Sequence, residues 1–250
     1  MPVEAIVKRR GRRPLIPRHV PPEELAARYD RYFEAMPAQN RALIHAAQQL
    51  RYQVLCEERQ LLRPENYPDG LESDSFDAHA MHAVLRYRED QSLIGALRVI
   101  MPHDGVILPA FGHCPELLEE IGMPQTAELS RFVISREFRR RWNDGYYGEV
   151  SDISVGGHSQ RHIPHMTLGL LRLALEFAAQ RDITHVAALA EPAMLRMMAG
   201  LGIHFAPVGG LVECHGLRQS CYAKIATLLH RMQKEKPEIW HYVTGGGRLG

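Results

Sequence analysis

Little in this sequence is in excess, and several things are missing from it. Lys and Arg number 30 against 29 Asp and Glu, a formal net charge of +1 at pH 7, so no broad electrostatic field points to nucleic acid or to a membrane surface. No apolar run approaches the ~20 residues that a membrane-spanning helix needs. Even residues 166–179 are broken by Arg172 and Glu176. The four cysteines, Cys56, Cys114, Cys214 and Cys221, form no C-x-x-C pair and follow no secretory leader, which predicts reduced thiols in a cytoplasm. The phosphate loop G-x-x-x-x-G-K-[ST] and the nucleophile elbow G-x-S-x-G are absent, and G-x-G-x-x-G occurs only as the string Gly245–Gly250, in a stretch that reads as a loose end and not as a strand-to-helix turn. The two absences, and a glycine string outside a strand-to-helix context, argue against nucleotide hydrolysis, ordinary serine hydrolysis and dinucleotide redox chemistry.

What is present is the make-up of a globular protein, 45% hydrophobic and 24% charged over 250 residues. Residues 1–22 combine Lys8, Arg9, Arg10, Arg12 and Arg13 with Pro14, Pro17, Pro21 and Pro22, predicting a mobile basic arm. Helical spacing predicts amphipathic helices over 23–36 and 40–59, the second capped by Asn40. A long polar loop over 63–82 carries Glu65, Glu72, Asp74 and Asp77, and loops of that length are often functional. A hairpin over 82–89 and 93–101, a short helix over 115–122 and a strand over 127–135 follow. The aperiodic stretch 136–162 predicts a flap, and Pro164 opens a buried helix to about Arg181. Strands over 183–190, 204–208 and 211–215 alternate with helices over 191–201 and 222–234. With no repeat or linker, the expectation is one α/β domain over 23–243, a mixed central sheet flanked by helices, ending in a flexible tail at 244–250.

Chemistry concentrates around the strand 127–135, whose β-forming residues carry Glu128 and Arg131. Three apart on a regular strand, the two face opposite sides, unless a bulge brings them together. Buried charges need partners. With Arg51, Asp74, Asp77 and Arg98 they form either structural ion pairs or a working cleft. Asp77-x-His79-x-x-His82 and the trio His158, His162 and His165 match no named zinc signature, and no metal is expected. Cys214 and His215, adjacent on an extended run, point apart and form no nucleophile pair.

The series Leu50-Arg51-Tyr52-Gln53-Val54, Glu72-x-Asp74-x-Phe76-Asp77, Gly95-x-x-Arg98 and Glu128-x-x-Arg131-Phe132 resembles the acyl-homoserine lactone synthases, enzymes of GNAT-like fold. Asp69-Gly70-Leu71-Glu72, Ser130-Arg131-Phe132-x-Ile134-Ser135, Phe138-Arg139-Arg140-Arg141, Glu191-Pro192, His215-Gly216-Leu217-Arg218 and Pro237-Glu238-x-Trp240 bring it nearer to the N-acyl amino acid synthases. Within these, the PEP-CTERM/exosortase-associated acyltransferases are the most similar. The resemblance implies transfer of a fatty acyl group from an acyl carrier protein thioester to the amino group of an amino acid. Lactone synthesis from S-adenosylmethionine, and a non-catalytic GNAT-fold module that binds acyl carrier protein, are the alternatives.

GNAT enzymes that use coenzyme A seat its pyrophosphate on a [Q/R]-x-x-G-x-[G/A] loop. Here no Gln or Arg lies three residues before any glycine. That favours acyl-phosphopantetheine on a carrier protein as donor, with no bound cofactor. Glu128 is then the expected base, its pKa raised by burial. Backbone N–H groups near Phe132 and Val133 would meet the oxyanion. Arg98 and Arg131 bind the acceptor carboxylate or position Asp74 and Asp77, and Arg51 joins them in the substrate site. Arg136, Arg139, Arg140 and Arg141 would dock the acidic carrier protein. The acyl chain is expected between residues 166–175 and the sheet. No nucleic-acid partner is expected, and the acylated product would associate with membranes.

Overall fold

The computed structural model describes residues 22–138 and 166–249. The basic arm, Arg139, Arg140, Arg141, the stretch with His158, His162 and His165, and the start of the helix expected from Pro164 lie outside the described residues. Helix α1 (Pro22–Tyr32) opens on a proline with Glu23 and Glu24 in its first turn, acids that suit the positive end of the helix dipole. It stops short of residue 36, because Phe33–Pro37 is a strand, β1, paired antiparallel with β2 (Ala80–Tyr87). Phe33 continues the helical spacing of Tyr29, so periodicity alone conceals the switch. Pro37 is tolerated because β1 is a sheet edge.

Helix α2 (Arg41–Tyr52) starts where expected: the Leu43 N–H donates to Asn40 Oδ1 at 2.9 Å. It runs on as a π-helical segment, Gln53–Glu58. The polar loop holds two 3-10 turns, Pro64–Asn66 and Ser75–His79. The hairpin closes with β3 (Leu93–Ile100). Short helices α3 (Pro109–His113) and α4 (Leu117–Glu120) lead to β4 (Thr126–Ile134). Then come α5 (Leu168–Ala179), β5 (His185–Ala190), α6 (Pro192–Gly200) and β6 (Ala206–Glu213).

The helix expected from residue 222 begins later, since Leu217–Lys224 is a further strand, β7. Helices α7 (Ile225–Glu235) and α8 (Pro237–Val243) finish the chain. Residues 244–249, expected as a flexible tail, form turns in which the Gly246 N–H donates to the His241 carbonyl and the Leu249 N–H to that of Thr244. The sheet order is β1-β2-β3-β4-β5-β7-β6. β4 and β5 run parallel, and β7 is antiparallel to both β5 and β6. The expected mixed sheet flanked by helices is therefore present, with β7 inserted where a simple alternating series would place β6.

One face of the sheet, with Leu97, Val99, Ala127 and Val186, packs on α1, α5, α7 and α8 in the main core. The other carries α2 over Val84, Ala96 and Val133, and α3 with α4 over Ile100 and Ala187. Two separate apolar clusters on that second face leave room between them for charge. The close approach of α5 to β1 depends on Gly169. A Cβ there would stand 2.6 Å from Tyr29 Oη and 2.7 Å from Ala35 Cβ. The same Tyr29 hydroxyl accepts the Gly169 N–H at 3.0 Å and donates to the Met166 carbonyl at 2.8 Å.

Candidate functional site

Strand β4 is paired unequally along its two edges. Its ladder with β3 runs as far as Ile134, opposite Gly95, whereas its ladder with β5 ends at Leu129, opposite Ala188. Beyond that point β5 pairs only with β7. The parallel strands thus part in the middle of the sheet, and backbone groups of residues 130–134 directed away from β3 face a wedge instead of a neighbour.

The bulge is the outcome for Glu128 and Arg131. Ser130 faces Arg98 and Val133 faces Ala96, so β4 carries one residue more than β3 in that interval. Arg131 sits there with φ +51°, a left-handed conformation uncommon for a side-chain-bearing residue. The extra residue turns Arg131 onto the Glu128 side, where both line one cleft.

Three arginines and three carboxylates gather beside it. Arg51 pairs with Glu72 and forks onto Asp77 at 2.6 and 3.1 Å. Arg98 forks onto Asp74 at 2.5 and 3.1 Å, donates to Ser130 Oγ at 2.9 Å and lies 3.2 Å from Asp77. Arg131 donates to Glu72 at 2.8 Å and to Asp74 at 2.9 Å. Asp74 also caps its 3-10 turn by accepting the Phe76 N–H, and Asp77 accepts the Asp74 N–H. Every member thus has a partner of opposite charge, the condition under which such buried groups are tolerated. Burial alone would raise the Asp77 carboxyl, yet the hydrogen bond and charge of Arg51, with Arg98 behind, hold it down to about 2.

Glu128 stands apart from this network. It is 2% exposed, lies between Ile100 and Ala187 on the neighbouring strands, and accepts the Ala110 N–H of α3 at 2.8 Å. Burial pushes its pKa up to about 7, against the opposing pull of the Ala110 N–H, Arg98 and Arg131. A carboxyl so placed exchanges protons near neutral pH. It opens on a cavity of about 380 Å³, within the size range of small-molecule sites. The cavity passes through the wedge into an apolar chamber walled by Leu171, Ala174, Met194, Met198, Leu228 and Met232.

Of the expected site residues, Glu128, Arg98, Arg131, Asp74 and Phe132 line this cleft. Arg51 and Asp77 do not. They sit behind Asp74 and Arg98, which they contact through Asp77 and the shared ion pairs. The Val133 side chain is packed under α2. Arg136, just past β4, is exposed. The chamber wall includes Leu171, Ala174 and Leu175 of α5. Cys214 and His215 both line the cleft because they occupy the turn between β6 and β7, where the two-face alternation of a strand does not apply. His82 is buried 3.5 Å from Asp77, outside the cleft. Burial lowers its pKa, with Arg51 and Arg98 adding to the effect. Glu72, Arg59, Glu191 and Arg218 were not expected as site residues. The quoted motifs around Glu72, Glu191 and Arg218 were the available signal.

Residues 50–145 match the family described as the acetyltransferase (GNAT) domain. No curated protein matches the chain. Among solved structures, the acyl-homoserine lactone synthase LasI is 18% identical, with 86% of this chain and 95% of that one covered and a TM-score of 0.56. FeeM, an N-acyl amino acid synthase from uncultured soil microbes, is 16% identical over 80% of this chain and 93% of its own, with a TM-score of 0.56. BjaI, a coenzyme A-dependent acyl-homoserine lactone synthase solved with S-adenosylmethionine and isopentyl-CoA, is 21% identical over 81% and 88%, with a TM-score of 0.54. At these identities the likeness is one of fold, shared with these synthases over most of the chain.

Proposed function

We propose that this protein is an N-acyltransferase that moves a fatty acyl group from an acyl carrier protein thioester to the amino group of an amino acid. The observation that carries the reading is Glu128, a buried carboxyl with a pKa near 7, set where two parallel strands part and an apolar chamber begins. A reaction centre that joins a polar acceptor to a long acyl chain needs that juxtaposition. Glu128 takes a proton from the acceptor ammonium group, and the freed amine attacks the thioester carbon, forming the C–N bond. The carbonyl oxygen becomes an oxyanion at the wedge, where the backbone along Ser130, Arg131 and Phe132 offers N–H donors. The C–S bond then breaks as the carbonyl reforms. The leaving thiolate takes up one proton, and the amide nitrogen sheds its second through Glu128. The Arg98, Arg131 and Asp74 network holds β4 and the polar loop in register.

The likeness to FeeM supports an amino-acid acceptor, and the motifs quoted above support the exosortase-associated branch. The absent pyrophosphate loop favours a carrier-protein donor, docked through the basic residues that follow β4, beginning with Arg136. No helix among the described residues is long and apolar enough to cross a membrane. With all four cysteines free, we assign the reaction to the cytoplasm. Purified protein given long-chain acyl carrier protein and a panel of amino acids should release thiol and an N-acyl amino acid detectable by mass spectrometry. Turnover only with acyl-CoA reverses the donor assignment, and turnover only with S-adenosylmethionine reverses the acceptor. No thiol release with any combination defeats the enzyme reading.

A further inference from the structure

Two of the quoted motifs, Glu191-Pro192 and His215-Gly216-Leu217-Arg218, take no part in the chemistry above, yet the fold brings them to one place. Glu191 precedes α6, and Arg218 on β7 lies 2.9 Å from its carboxylate. A second Arg218 nitrogen donates to the His215 carbonyl at 2.8 Å. Arg59, just past the π-helical segment, reaches the same Glu191 oxygen at 2.5 Å. Arg59, Glu191, His215 and Arg218 all line the cleft.

One carboxylate here serves two guanidinium groups. Deeper in, three arginines balance three carboxylates, and Glu128 is protonated for much of the time at neutral pH. Among the described residues, then, the cleft carries a surplus positive charge, and it resides at Arg59 and Arg218. Each guanidinium presents several N–H donors, and one shared carboxylate leaves some of them available to another oxygen acceptor. Arg59 is 32% and Arg218 14% exposed, accessible yet shielded enough for a charged hydrogen bond to count. Burial lowers the pKa of His215, and the charges of Arg131 and Arg218 lower it further against the opposing pull of Glu72.

We propose that Arg59 and Arg218 form a subsite for an anionic oxygen group, with Glu191 holding the two guanidinium planes in place. The ligand class is the carboxylate of the acceptor amino acid or the phosphodiester of the donor's pantetheine arm. The proposal rests on the acyl-transfer reading for the identity of the ligands, and a binding measurement tests it apart from turnover. Calorimetric titration of the full chain would use two ligand pairs, each an anionic compound and a counterpart that lacks the charge. One is N-dodecanoylglycine and its primary amide. The other is S-dodecyl phosphopantetheine and its dephosphorylated counterpart. The charged member of one pair should bind about 10- to 100-fold more tightly than the neutral one, the range for a hydrogen-bonded charge. Arg218→Gln and, separately, Arg59→Gln should abolish that preference while keeping the affinity for the neutral ligand and the thermal transition. Preference within the first pair assigns the subsite to the acceptor, and within the second to the donor. Equal binding within both pairs, or a preference that survives both substitutions, overturns the proposal. A protein that shows the preference and never turns over would defeat the acyl-transfer reading and leave the subsite standing.

Discussion

Replacing Glu128 by glutamine should divide activity from stability, and both halves can be sized from the structure. The amide oxygen can still accept the Ala110 N–H that Glu128 accepts at 2.8 Å, so the local packing survives. The proton carrier does not, and kcat should fall about 10²- to 10⁴-fold, the usual range for loss of a general base. Stability should move the other way at high pH. The Glu128 carboxyl titrates at about 7 in the fold against an ordinary 4.5, so the folded state binds the proton more tightly than the unfolded chain. The associated stabilisation is complete below pH 4.5 and is lost as pH rises through 7. A span of that size corresponds to about 3 kcal/mol. Urea unfolding of the wild type should therefore weaken by about 3 kcal/mol between pH 4.5 and pH 8 through this group, a component missing from Glu128→Gln. In kinetics, kcat/KM of the wild type should climb with pH and level off above about 7. A variant with unchanged kcat would move the base elsewhere, with His215 next in the cleft. A stability difference that stays flat from pH 4.5 to pH 8 would falsify the buried-carboxyl argument itself.

Other parts of the molecule give further expectations. Asp77 titrates at about 2 instead of 3.8, so its contribution is present above pH 3.8 and disappears as pH falls through 2, costing about 2 kcal/mol. Acid unfolding of Asp77→Asn should lack this step, and an identical acid profile would remove Arg51 as its cause. Gly169→Ala should lower stability by about 1–3 kcal/mol, as overpacking does, because its methyl would stand against Tyr29 and Ala35. A calorimetric melting point equal to wild type would contradict that contact. Ala174→Phe, in the chamber wall, should shift the preferred acyl group to shorter chains in a mixed-donor competition. An unaltered product distribution would place the acyl chain elsewhere.

Much of the architecture was legible where one period dominates. Asn40 and the spaced apolar residues of α2, the hairpin around Asp90, Gln91 and Ser92, and the buried α5 all appear close to their expected bounds. The two missed strands fail for different reasons. In β1, Phe33 extends the helical spacing of the turn before it. In β7, Arg218, Gln219 and Ser220 dilute the apolar signal, and only tertiary position, between β5 and β6, makes the segment a strand. Glu128 was legible because a carboxyl is out of place in a β-forming run. The bulge at Arg131 was open, since nothing in a sequence of L-residues announces a positive φ. Arg59 and Glu191, 132 positions apart, could meet only in the folded chain.

The wedge gives this protein a strand edge in the middle of its sheet. Edges usually lie on the outside, where other chains can add to them. This one is lined by α5 and α6 side chains and by Asp74 and Phe76 of the polar loop, inside the molecule instead of at its rim. An amide-bearing arm laid along Ser130 and Leu189 would act as the missing rung between β4 and β5. Occupancy by substrate would then be a late step of folding: the loaded protein should unfold later on heating, by about 2.7 kcal/mol at a hundredfold excess over Kd.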